Sequence, residues 1–338
     1  MERKKWTWRL LIATALGSAI AGGTAMLPSE NLLLERANKV ADVRGWWVDD
    51  FPTRDIQWVS DTVLFTGTGD WRLKQPFLYN ILTRRKSPLT RLSNLLEKDN
   101  DMGTNSWELS PDKQWLLWTM ELYEDVRVAR LDGSGFQTIA LPPPGNTIGK
   151  IGWDKDSRHW KAVGFDYASS RVTNLGEGNV RTPGKWHSLA LSGEADFFDA
   201  DALHVDKQSN SVAISLSDAN AATLHTRNEL TLHPPKDTQI IDVVRSNGGN
   251  QLAWLLRSTR TPLLARWLHR FLPRFAPLHS SVEIRLSGLD GNDMRELGHV
   301  EVTDDLDETG ELANLQWLPS DESLSFLYQG SLWTLPVK

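Results

Sequence analysis

Apolar residues along this chain come in short runs, each followed by a cluster of turn-forming polar residues, and the alternation recurs at a near-constant interval. The clearest unit is Trp107-Glu-Leu-Ser-Pro-Asp-Lys-Gln-Trp-Leu-Leu-Trp-Thr-Met120, followed by Val126-Arg-Val-Ala-Arg-Leu-Asp-Gly-Ser-Gly135. It predicts a strand, a tight turn, a second apolar strand and a third strand ending in an Asp-Gly turn. Three further copies begin at Trp58, Trp153 and Trp317. Two degenerate ones are led by Phe198 and, through Ser246-Asn-Gly-Gly-Asn-Gln-Leu-Ala-Trp254, by Val243. The lead positions 58, 107, 153, 198, 243 and 317 are separated by 49, 46, 45, 45 and 74 residues, the last being one period plus an insertion.

A period in the mid-forties made of short strands is that of a four-stranded propeller blade. One such sheet cannot cover both of its own faces, so neighbouring copies stack and Trp and aliphatic side chains fill the seams. The expected fold is therefore all-β: a six-bladed β-propeller over residues 31–338, with an insertion at about 260–281. After Trp317 the chain has room for only three strands. A segment within about Arg36 to Trp47 is expected to supply the missing outer strand and close the ring, which removes an exposed sheet edge.

The Trp-x-x-Ser-Pro-Asp turn, the apolar strand after it and the Asp-Gly-Ser-Gly turn resemble the repeat of TolB-type propellers and of the propeller domains of prolyl-oligopeptidase relatives. The resemblance covers roughly residues 50 to 338 and is most specific at 107–135 and 317–335. It implies the fold, and it leaves activity open, because such propellers serve in binding, scaffolding and catalysis alike.

Two stretches break the strand pattern. Arg3, Lys4, Lys5 and Arg9 precede an uncharged run from Leu10 to Leu27, the layout of a signal sequence. Residues 1–30 are expected to be a cleaved signal peptide or an uncleaved anchor spanning residues 10–27, with everything beyond about residue 30 exported to the periplasmic or extracytoplasmic side. The second stretch, Thr261 to His279, starts with Thr-Pro and is stopped by Pro273. On a helical wheel Leu264, Trp267, Leu268 and Phe271 share one face, while Arg266 and Arg270 lie opposite, with Arg274 and Phe275 following. This short basic amphipathic helix has three candidate surfaces: the propeller's own flank or mouth, a membrane interface, or a groove on a partner protein.

Composition narrows the function. A net charge of -6 removes the broad basic footprint of a nucleic-acid binder. The absence of cysteine excludes disulfides, a thiolate nucleophile and a lipid anchor on cysteine. There is no Gly-x-Ser-x-Gly elbow, phosphate-cradling loop or His-Glu-x-x-His, and the eight histidines are scattered. No catalytic residue, metal ligand or cofactor is assigned on these grounds. The acidic run at Asp304, Asp305, Asp307, Glu308 and Glu311 lacks calcium-loop spacing and reads as a solvated connection. Most of the 16 Trp residues fall at repeat positions, leaving Trp46, Trp47 and Trp186 without a place in the pattern.

The innermost strand of each blade runs just before its lead residue and lines the central channel. Asp55, Lys150, Asp242 and Asn314 are the polar residues expected to converge there. The leading expectation is a monomeric, non-enzymatic extracytoplasmic propeller, associated with a membrane, that binds a protein or envelope component. The alternative is an extracytoplasmic lyase, hydrolase or dehydrogenase acting on a sugar or small molecule at the channel mouth.

Overall fold

The computed structural model describes residues 32–44, 46, 56–66, 76–97, 104–120, 125–140, 147–166, 171–188, 203–216, 228–259, 280–302 and 312–338. The signal or anchor segment, Asp55, Trp47, Phe198, the amphipathic insertion from Leu264 to Phe275 and the acidic run after Asp304 lie outside them.

The described chain opens with α1 (Leu32–Arg36) and β1 (Asn38–Asp42). The first sheet holds β2 (Ile56–Ser60), β3 (Val63–Thr66), β4 (Phe77–Asn80) and β5 (Arg85–Pro88). After α2 (Thr90–Glu97) the second holds β6 (Thr104–Leu109), β7 (Trp115–Met120), β8 (Asp125–Arg130) and β9 (Gln137–Ala140). The third is β10 (Thr147–Trp153), β11 (His159–Asp166), β12 (Arg171–Asn179) and β13 (Thr182–Ser188). The fourth is described as β14 (Leu203–Asp206), β15 (Ser211–Leu216) and β16 (Asn228–Leu232). The fifth is β17 (Thr238–Arg245), β18 (Gln251–Thr259), β19 (Ser280–Gly288) and β20 (Arg295–Val302). The sixth joins β21 (Ala313–Trp317), β22 (Ser323–Tyr328) and β23 (Ser331–Pro336) to β1.

The molecule is a six-bladed β-propeller, and it closes as the strand count requires. β1 pairs antiparallel with β23, from Asn38 opposite Thr334 to Asp42 opposite Ser331. The amide of Val43 then donates to the carbonyl of Gly330, extending the clasp by one step.

Four blades share one turn between their first two strands. In each, the first turn residue donates its amide to the carbonyl five positions on, and the residue three positions on donates back to it: Ser110 with Trp115 and Lys113, Asp154 with His159 and Ser157, Ser246 with Gln251 and Gly249, Leu318 with Ser323 and Asp321. Lys113, Ser157, Gly249 and Asp321 all take the left-handed conformation, with φ of 58 to 75°. This turn corrects the repeat register. The residue just before it is Trp153 in the third blade and Trp317 in the sixth, but Leu109 and Arg245 in the second and fifth, so Trp107 and Val243 sit two positions early. Residues two apart on a strand share a face, and an aromatic or aliphatic side chain at either one serves the same seam.

Apolar clusters seal five of the seams between neighbouring blades. Phe65 meets Leu116 and Trp118 between the first and second. Leu117 and Val128 meet Ile151 and Trp160 between the second and third. Val212 and Ile214 meet Leu252 and Trp254 between the fourth and fifth. Val282 and Ile284 meet Leu315 and Phe326 between the fifth and sixth, and Leu327 and Leu332 meet Trp58 and Leu64 where the ring closes. Trp118, Trp160 and Trp254 are fully buried, and each ring takes about 150–250 Å² out of water. Among the described residues no such cluster joins the third and fourth blades.

Candidate functional site: the central channel

Five of the innermost strands, β2, β6, β10, β17 and β21, carry a β-bulge, while the described part of β14 pairs in regular register. In β6, β10 and β17 the register shifts between Thr104 and Ser106, Ile148 and Lys150, and Ile240 and Asp242. In β21 it shifts between Ala313 and Gln316. Counted back from the shared turn, Ser106, Lys150, Asp242 and Asn314 hold the same position, four residues before it. A bulge re-aims the side chain beside it and is typical of rims and sites. In β21 it puts Asn314 at φ 53°, a conformation asparagine tolerates better than most residues.

A cavity of about 730 Å³ occupies the channel. Asp242 and Asn314 line it. Asp55 lies outside the described residues, and Lys150 is placed only by its backbone, opposite Val163. Six polar residues absent from the sequence expectation join them: Gln57 on β2, Glu108 on β6, Gln316 on β21, and Lys113, Lys207 and Asn247 on turns. The turn residues carry a signal in the sequence only once the turns are aligned, since Lys113 and Asn247 sit in the same motif.

Hydrogen bonds hold the lining in place. The Gln316 side-chain amide donates to the carbonyl of Ile56 at 2.5 Å and to Asn314 Oδ1 at 2.6 Å, tying the sixth blade to the first. Trp153 Nε1 donates to the carbonyl of Glu108 at 3.1 Å, and Trp317 Nε1 to that of Val244 at 3.2 Å. Below them the turns are linked blade to blade. Asp321 accepts from the amides of Asn247 and Gly248 and from the Asn247 side chain, all at 2.6–2.8 Å. Asp61 accepts from the amide of Ser320, and Ser157 from that of Asp112. At this end of the channel two carboxylates, Asp321 and Asp61, and the Ser157 hydroxyl answer backbone donors of a neighbouring blade and tie the rim together.

No family model matches the chain, and no curated protein matches it. Among solved structures it is similar to an oligogalacturonate lyase in complex with manganese, at 11% identity and a TM-score of 0.41 over 88% of this chain and 90% of that one. It is also similar to a prolyl endopeptidase, at 11% identity and a TM-score of 0.44 over 99% of this chain and 56% of that one. A putative TolB from Agrobacterium tumefaciens gives 10% identity and a TM-score of 0.37 over 83% and 87%. Likeness at these scores carries no argument about activity, and the propeller assignment rests on the sheet order and the closure.

The lining is chemically balanced, with two ammonium groups, two carboxylates and four carboxamides. Burial pushes the Lys113 ammonium below the ordinary lysine value, and the charge of Glu108 acts in the opposite direction. Among the described residues no three His, Asp or Glu side chains gather where they could hold a metal ion. Such a surface donates and accepts hydrogen bonds at many points, which suits a polar, uncharged or zwitterionic segment entering the mouth.

Proposed function

We propose that this protein is a non-enzymatic extracytoplasmic propeller, held at a membrane, that binds a protein or envelope component at its channel mouth. One observation carries the membrane part. The basic amphipathic insertion leaves the fold between Thr259 and Ser280, which lie opposite each other at one end of the fifth blade. The N-terminal segment enters the fold through α1, whose Leu33 is fully buried in the cluster between the fifth and sixth blades and whose Arg36 donates to the carbonyl of Leu297 on β20. Gly298 on β20 makes room for it, since a Cβ there would meet the Leu33 backbone at 2.7 Å. Both membrane-directed stretches of the sequence are thus attached to the fifth blade, and docking of one assists docking of the other by raising its effective concentration.

Co-sedimentation with anionic vesicles tests this, using the chain from residue 31, which keeps the closing strand and so the whole ring. Trp267→Glu with Phe271→Glu is expected to abolish vesicle binding without changing the melting temperature. Equal binding by the double variant would end the membrane proposal. A second reading, an enzyme at the channel mouth, has one observation in its favour: the desolvated Lys113 beside Glu108, an arrangement that suits a general base.

A further inference from the structure

Trp46, one of the tryptophans without a place in the repeat, stands directly after the closing clasp, its amide donating to the carbonyl of Val43 at 3.1 Å. Its ring meets Phe77 edge-on with centroids 5.3 Å apart and Tyr79 at 5.0 Å. Phe77 and Tyr79 are both buried and alternate on β4, so they present one face. Lys86 is directly opposite Tyr79 on β5. Its ammonium lies over two of the rings, 4.6 Å from the Trp46 centroid and 4.5 Å from that of Phe77. Two ring faces hold the cation, and Tyr79 packs against Trp46 beside them, which makes an ammonium cage in which the negative ring faces attract positive charge.

We propose that the Trp46, Phe77 and Tyr79 cage is a binding site for methylated or quaternary ammonium groups, with Lys86 as its resident, displaceable occupant. Lys86 stands in for the ligand. It is exposed along the outer strand, so it leaves the cage by rotating about its own side-chain bonds while the rings stay fixed. A primary ammonium is strongly hydrated and gives up part of that hydration beside the rings, and this partial desolvation lowers its proton affinity here. A quaternary ammonium is weakly hydrated, has no N–H to leave unsatisfied and no proton to lose. The cage therefore fits it better than it fits the lysine that occupies it.

The test follows the Trp46 indole N–H signal, assigned with Trp46→Phe, while the full chain in detergent is titrated with tetramethylammonium chloride against sodium chloride. A saturable shift is expected in the wild type, and removing the occupant with Lys86→Gln or Lys86→Met should tighten it by about two- to five-fold, the weight of one exposed cation–π contact. Methylammonium should bind more weakly than tetramethylammonium, and Phe77→Leu, read at the same Trp46 signal, should weaken both. Phosphocholine and a trimethyllysine peptide, as further titrants, separate a headgroup source from a modified side chain. The proposal falls if the Trp46 signal shows no saturable shift in either protein. It also falls if wild type and both Lys86 variants bind tetramethylammonium equally, which would leave the lysine as a latch on the closing segment.

Discussion

The two faces of the third blade are built on opposite principles. One packs on the second blade through Trp160, Ala162 and Val180, with Gly178 so close beneath Trp160 that a Cβ there would come within 2.1 Å of its ring. The other follows from strand alternation and is turned towards the fourth blade. It carries a row in which Lys161 is opposite Glu177 and Glu177 opposite Lys185, beside a cleft of about 450 Å³ that Asp154 and His187 also line. The sealed face supplies cohesion by removing apolar surface from water. The charged row keeps its hydration and contributes little, although Val163, two residues along the same face and opposite Leu175, is buried. Among the described residues, the apolar seal of the third blade thus lies on one face and its charged row on the other.

Removing the centre of the sealed face is the most damaging test of that contrast. Trp160→Ala leaves a cavity among Leu117, Val128 and Ile151, and should cost about 3–5 kcal/mol in denaturant melts. Gly178→Ala attacks the same contact from below and should cost about 1–3 kcal/mol, because the Trp160 ring has to shift. If Trp160→Ala melts within about 0.5 kcal/mol of wild type, the sealed face is not what holds the third blade.

The charged face should respond weakly. Lys161 pairs with Asp154 at 3.2 Å with both side chains partly in water, so Lys161→Ala is expected to change stability by about 0.5 kcal/mol or less. A double-mutant cycle of Lys161 and Glu177 should give a coupling of similar size. A loss comparable to that of Trp160→Ala would mean that the fourth blade clamps this row out of water, and the contrast between the faces would disappear.

The same contrast explains what the sequence could convey. Seams are made of Trp and aliphatic runs at a fixed period, so six blades were readable from pattern alone. Closure by β1 followed from counting three strands after Trp317. The exact register was not readable, because Trp107 and Leu109 share a face and either satisfies the seam. Asp242 and Asn314 were found in the channel because they precede a turn on innermost strands. Lys113, Lys207 and Asn247 were missed because they reach the same cavity from turns, where polar residues carry no distinguishing pattern. Trp46 belonged to no repeat, and its partners Phe77 and Tyr79 are brought to it only by ring closure.

The smallest expected effect lies at the turn beneath the charged face. Asp156 accepts the backbone amides of His159 and Arg158 at 2.9 Å each, and lies 2.5 Å from His159 Nδ1. These donors, the backbone amides foremost, hold its carboxyl at about 2, below the ordinary value of 3.8. A carboxyl depressed in the folded state adds stability that is fully present above its unfolded value and is lost as pH falls towards the folded one. Because the group is exposed, solvent screens most of that gain. Asp156→Asn should therefore lower the melting temperature by about 1 °C at about pH 5, and the difference should vanish at about pH 2. A difference that persists undiminished at the lower pH would show that the turn is held by its shape and not by the charge on Asp156.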